Sequence, residues 1–200
     1  MSLKHHSPVI RVMHWSIAGL VIAMLVMSAF IMSKIPDADP EKLAAAGRHM
    51  AAGLLVIFFF GVRLHMRHRV GRPPALSSGM GWADWLAGIV HKLLDFLVGI
   101  MIVSGVGMAL LSHLPMRILT GGAFPAEMKT MFLHGVHVAG AWSIAALLLL
   151  HIGGAFFHQL VLRDGLIWRM FISPREVLTA FARWREHGMP LAPRSNNNEI

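Results

Sequence analysis

The chain contains no cysteine and no tyrosine. Without cysteine there are no disulfides, iron–sulfur clusters, thiolate zinc sites or covalent c-type haem attachment. Any metal site must therefore draw on His, Met or carboxylate. Without tyrosine, tyrosine-based catalysis is excluded as well. Charge is also scarce: charged residues make up 14% of the 200 residues, against about 25% in a soluble domain. Apolar residues make up 56%, and the mean hydropathy is +0.60. Lipid is the solvent that such a composition suits, and the length suits one domain. The formal charge of +8 raises nucleic acid as a partner, but the cations are distributed in a way that points to membrane orientation and to no nucleic acid.

What is present is four long apolar stretches, roughly residues 12–33, 47–64, 86–111 and 134–160, each near the ~20 residues that cross a bilayer as a helix. The fold class expected is all-α, an integral membrane four-helix bundle. Turn signals separate the spans: Ile35 to Pro40, then Arg72-Pro73-Pro74 with Ser77-Ser78-Gly79, then His113-Leu114-Pro115 and Thr120-Gly121-Gly122. Lys4 and Arg11 share one side with Arg63, Arg67, Arg69, Arg72 and the C-terminal arginines. The other side has Lys34, Lys42, Arg48, Arg117 and Lys129, diluted by Asp37, Asp39, Glu41 and Glu127. The positive-inside rule then places both termini in the cytoplasm. The first apolar run is too long for a signal peptide, and no small-residue cleavage site follows it closely. The four-helix domain is expected over 1–172. Ser173-Pro174-Arg175-Glu176 then reads as a helix start. Val177, Leu178, Phe181 and Trp184 recur at helical spacing, so residues 173–187 are expected to form an amphipathic interfacial helix, with a disordered tail over 188–200.

There are 13 histidines beside 10 acidic residues. Ionisable residues inside a span are expensive and usually functional. Four lie there at paired depths: His14 and His151 toward one side, His49 and His137 toward the other. His151 follows His137 on one helix by 14 residues, about 40° short of four full turns and about 21 Å along the axis. Both rings therefore face one side at two depths. Neutral imidazole donates a lone pair to iron, and two imidazoles fill both axial positions of a haem. Two such pairs read as two b haems stacked across the apolar layer, suited to outer-sphere electron transfer. The bland alternative for any one of these histidines is a packing or proton-path role, and for the set a haem-free metal transporter, which needs carboxylates among the spans where only Asp95 qualifies. His158, seven residues beyond His151, competes with it by depth as the partner of His14. Gly19, Gly53, Gly140 and Gly154 near the histidines make room either for flat macrocycles or for helix contacts.

Several motifs add a family resemblance. They are Arg11-Val12-Met13-His14-Trp15, Arg48-His49, Arg63 with Arg72-Pro73-Pro74, and His137 with His151. To these add His151-Ile152-Gly153-Gly154-Ala155-Phe156-Phe157-His158, Leu162-Arg163-Asp164-Gly165 and Arg169-Met170. Together, over about residues 10–172, they resemble the bacterial cytochrome b561 family of superoxide oxidase-like di-haem membrane cytochromes b. The resemblance implies two haem b groups with His14, His49, His137 and His151 as axial ligands to iron, and so favours His151 over His158. It implies ubiquinone as membrane partner and superoxide, arriving from the periplasm, as electron donor. His158, His91 and Lys92 become candidates for the quinone side. Lys92 and Asp95 are also placed for a structural ion pair at i, i+3. The acidic first outer loop departs from a superoxide-attracting surface, leaving Arg48, Arg117 and Lys129 to build a basic patch. His134 and the segment beyond 173 look like local additions. A second function stays open: a cytochrome b subunit that anchors a periplasmic dehydrogenase and relays its electrons to quinone.

Overall fold

The computed structural model describes residues 8–70 and 80–163, with Leu178 and Ala182 singly. Apart from those two residues, the expected interfacial helix and the tail lie outside the described residues, as do His5, His6 and His187.

The described chain is all-helical, and four of its helical segments are long and apolar enough to cross a membrane: Arg11–Lys34, Pro40–Arg69, Gly81–Leu111 and Phe132–Leu162. We name the α-helices in chain order: α1 (Pro8–Val26), α2 (Pro40–Val70), α3 (Gly81–Leu111), α4 (Leu114–Thr120) and α5 (Phe132–Phe157). Helix α1 runs on through a π turn, Met27–Ile31, and a 3-10 turn, Met32–Lys34. Helix α5 runs on through a π turn, His158–Leu162.

Local chemistry explains the ends. At the start of α2, the Asp39 Oδ1 accepts the Glu41 amide at 2.9 Å, and Pro40 follows Asp39 at the first helical position, where a missing N–H costs nothing. Glu41 sits in the first turn of α2 and Arg67, His68 and Arg69 in the last, each sign where the helix dipole favours it. Helix α2 thus extends beyond the 47–64 core of the apolar stretch at both ends. Arg63, His65, Arg67, His68 and Arg69 lie on its final turns. The reason is that basic residues at a helix C-terminus stabilise the helix rather than end it. Between α3 and α5, the turn signals enclose a short helix, α4, with His113 (φ 53°) before it and Gly121 (φ 68°) after it. The left-handed cap at Gly121 is where glycine has no steric penalty.

Helix α1 packs mainly on α2, and α3 mainly on α5, while α2 and α3 touch much less. All four spans meet at mid-depth, where Ile17, Val56, Phe60, Val98 and Ile144 form a buried core. Two glycines let α3 and α5 approach closely: an added Cβ would lie 2.6 Å from Leu133 Cδ1 at Gly107 and 2.9 Å from the Met101 Sδ at Gly140. Trp142, Leu149, Phe58 and Phe96 are exposed on outward faces, as lipid-facing side chains are in a bundle held by packing and polar contacts instead of hydrophobic burial. A second apolar cluster, Leu43, Ala46, Leu114 and Phe124, seals the end of the bundle that carries the α1–α2 loop and α4.

Candidate functional site

The four histidines selected by depth meet in two pairs. His49 on α2 faces His137 on α5 with ring centres 6.1 Å apart. His14 on α1 faces His151 on α5 with ring centres 6.2 Å apart. Two imidazoles bound through nitrogen to opposite sides of one metal, at about 2.0 Å each, have ring centres about 6 Å apart. Both pairs have that spacing. Each pair also bridges the α1–α2 layer and the α3–α5 layer, so α5 contributes one ring to each of two sites at different depths. The donor set is neutral nitrogen only, and among the described residues no three His, Asp or Glu side chains gather as a metal cage. That set fits a haem, which brings its own four equatorial nitrogens, better than a bare ion.

The His49–His137 pair lies toward the α1–α2 loop end and has a serine behind each ring. Ser104 Oγ lies 2.9 Å from His137 Nδ1, and Ser28 Oγ lies 3.2 Å from His49 Nδ1. Both ring contacts use Nδ1, leaving each Nε2 for a metal. Neither serine was singled out from the sequence. The only available signal was a hydroxyl inside an otherwise apolar helix, which usually bonds its own helix backbone. Gly105 lets α3 come close to the same ring: a Cβ there would lie 3.2 Å from His137 Cε1.

The His14–His151 pair has a different surround. His91 on α3 stacks edge-on to His151 with ring centres 5.0 Å apart, too close for a metal to sit between them on the spacing above. Trp15 packs edge-on to His14 at 5.6 Å. His158 begins the π turn after α5, and its ring packs against Phe157. The histidine that faces His14 is thus His151. Lys92 is exposed beside His91 on α3. The carboxylate of Asp95 does not serve Lys92 as the i, i+3 spacing suggested. Its two oxygens accept hydrogen bonds from Arg63 Nη1 and Arg67 Nη1 on α2. The planar guanidinium is the better match for a part-buried carboxylate. Reading α2 as ending near residue 64 hid these partners.

At the opposite end, the cations expected to build a basic patch are paired. Arg48 bonds Glu41, and Arg117 bonds Glu127 at 2.6 Å. Lys129 bonds Asp37 at 2.6 Å, tying the loop before α5 to the α1–α2 loop. This contact holds the Asp37 carboxyl below the usual carboxylate range. Lys42 is buried, donating to the carbonyls of Met32 and Ile35 at 2.6 and 3.0 Å.

A model of one protein family, described as prokaryotic cytochrome b561, matches residues 5–172. The chain belongs to this family. It is a prokaryotic multi-pass membrane protein of haem b electron transfer, broadly an oxidoreductase. A curated relative, named cytochrome b562, from Cereibacter sphaeroides, is 32% identical over 167 residues, spanning 82% of this chain and 92% of the relative. No solved structure matches. Within this cytochrome b561 frame, the histidine pairs are the residues that fit haem, Ser28 and Ser104 are groups behind the rings that the sequence does not single out, and Arg63 and Arg67 acquire Asp95 as a partner.

Proposed function

We propose that this chain binds two b haems, one between His49 and His137 and one between His14 and His151. It carries electrons from a periplasmic donor across the membrane to ubiquinone on the cytoplasmic side. The reading rests on one observation: two imidazole pairs, spaced 6.1 and 6.2 Å between ring centres, at two depths and sharing one helix. Haem held there by these histidines would supply a reversible one-electron couple.

The protein's own residues do the rest. Helix α5 fixes the axial separation of the pairs, about 21 Å at 1.5 Å per residue. The mid-depth core of Ile17, Val56, Phe60, Val98 and Ile144 keeps water from the space between them. With both termini cytoplasmic, as the basic residues indicate, the His14–His151 pair is the inner one. His91 beside it, with Lys92 and His158 nearby in sequence, supplies ionisable groups where quinone reduction takes up protons.

Superoxide is the donor that the family resemblance implies. One observation favours the second donor class, a periplasmic redox protein. Arg48, Arg117 and Lys129 are each matched by a carboxylate, which leaves little field to attract a small anion. The test begins with the reduced-minus-oxidised spectrum of detergent-purified protein and haem quantified per chain. Two low-spin b haems support the relay, and no haem from haem-supplied cells overturns it. Quinone reduction driven by superoxide, with a rate that falls steeply as salt is added, restores superoxide as donor. Reduction that needs an added periplasmic protein supports the second class.

A further inference from the structure

The outer pair has a hydroxyl behind each ring. Ser104 is 1% exposed. A serine hydroxyl has one hydrogen and two lone pairs. The Ser104 Oγ lies 2.7 Å from the Ile100 carbonyl and 3.3 Å from that of Met101. Carbonyls only accept, so the hydroxyl hydrogen is spent on the helix backbone, and the nearer oxygen takes it. What remains at Oγ is acceptor capacity, and 2.9 Å away is His137 Nδ1. The hydrogen in that contact therefore belongs to Nδ1. A neutral imidazole with its proton on Nδ1 has its lone pair on Nε2. Ser104 thus selects one tautomer of His137 and orients it before any metal arrives.

Ser28 meets the other ring by a different local device. It sits within the π turn Met27–Ile31, and its Oγ lies 3.2 Å from His49 Nδ1. One extra residue in a turn rotates the helix segments on its two sides by about 100° relative to each other. The direction of Ser28 toward α2 therefore depends on the π turn. Once Nε2 of His49 holds a metal, its Nδ1 keeps a hydrogen and Ser28 accepts it. By contrast, the rings packed on the inner pair are His91 and Trp15.

We propose that Ser104 and Ser28 are positioning residues of the outer haem: each accepts the Nδ1–H of one axial histidine, presents its Nε2 to iron and lowers the reduction potential of that haem relative to one without such acceptors. The proposal rests on the ligand assignment above. An acceptor on the distal ring nitrogen raises the basicity of the ligating nitrogen and favours the oxidised metal. Hydroxyl oxygen is a mild acceptor, so the effect is a tuning rather than a switch.

The test uses holoprotein purified in detergent, with haem per chain, a potentiometric titration and low-temperature electron paramagnetic resonance on Ser104→Ala, Ser28→Ala and the hydroxyl-keeping Ser104→Thr and Ser28→Thr. The expected result is two haems in every variant. In both alanine variants the outer midpoint moves upward and its low-spin signal changes, the inner one stays put, and threonine restores the parent values at one or both sites. Two haems with both midpoints and both signals unmoved in the alanine variants overturns the proposal. So does loss of the outer haem that threonine fails to restore, since that marks a packing role. Failure of the ligand assignment reads differently: His49→Ala or His137→Ala would then retain both haems.

Discussion

The joint between α2 and α3 depends on one carboxylate. Asp95 accepts from Arg63 and Arg67 at once, with side chains 20%, 23% and 23% exposed for Arg63, Arg67 and Asp95. Helices α2 and α3 otherwise touch little, so this contact is a polar fastener between the α1–α2 and α3–α5 layers on the inner side. Those are the layers that must close to bring His14 onto His151. A hydrogen bond to a charged group contributes about 1.5–3 kcal/mol, and partial exposure moves each contact toward the lower end. Asp95→Ala removes both and leaves two guanidinium groups at i, i+4 with nothing between them, a further repulsion of a few tenths of a kcal/mol. The expected cost is about 2–4 kcal/mol, and a loss of about 3 kcal/mol is roughly a hundredfold in the folding constant. Denaturation of the holoprotein in mixed micelles, followed by haem absorbance and helical signal, measures it. The inner haem should be released earlier than in the parent protein, with the outer haem held to the main transition. Asp95→Glu should recover part of the loss. An Asp95→Ala protein with the parent's denaturation midpoint and the parent's order of haem release would refute the reasoning, and would mean that other contacts hold the layers together.

His49→Ala and His137→Ala should each lower haem content from two per chain to one and remove the outer component of the redox titration, while His14→Ala and His151→Ala remove the inner one; His158→Ala should keep both, and a loss there would move the ligand role from His151 to His158. Gly105→Ala puts a methyl 3.2 Å from His137 Cε1, so the ring must shift by a few tenths of an ångström. The outer haem's visible and magnetic spectra should change while the inner haem's do not. The Lys129–Asp37 contact depresses the Asp37 carboxyl. A carboxylate with a lowered folded-state pKa stabilises above its unfolded value, here 3.8, and that contribution is lost as pH falls through the folded value. Hydrogen exchange over Ala126–Thr130 should therefore rise below about pH 4 in the parent, and Asp37→Asn should show the faster exchange at neutral pH with no further rise on acidification.

Much of this molecule is dictated by composition and spacing alone. Four apolar stretches of spanning length require four helices, because no other open backbone arrangement satisfies its hydrogen bonds in lipid. The 14-residue interval from His137 to His151 places two rings on one face of one helix by helix geometry, whatever surrounds it. The depths of His14 and His49 are then set by where their spans begin. Tertiary structure decided what periodicity has no access to. Whether His151 or His158 faces His14 depends on the approach of α1 to α5, and it is His151. The partners of Asp95 depend on α2 continuing to Val70 and lying beside α3, which lets arginines 28 and 32 positions away displace a lysine three positions away. The two serines behind the outer rings sit 21 and 33 residues from their histidines, one of them aimed by a π turn. Spacing along a helix reports a residue's face and depth, since those are set by local backbone geometry. A hydrogen-bond partner on another helix is set by how the helices pack, and that is a property of the assembled bundle.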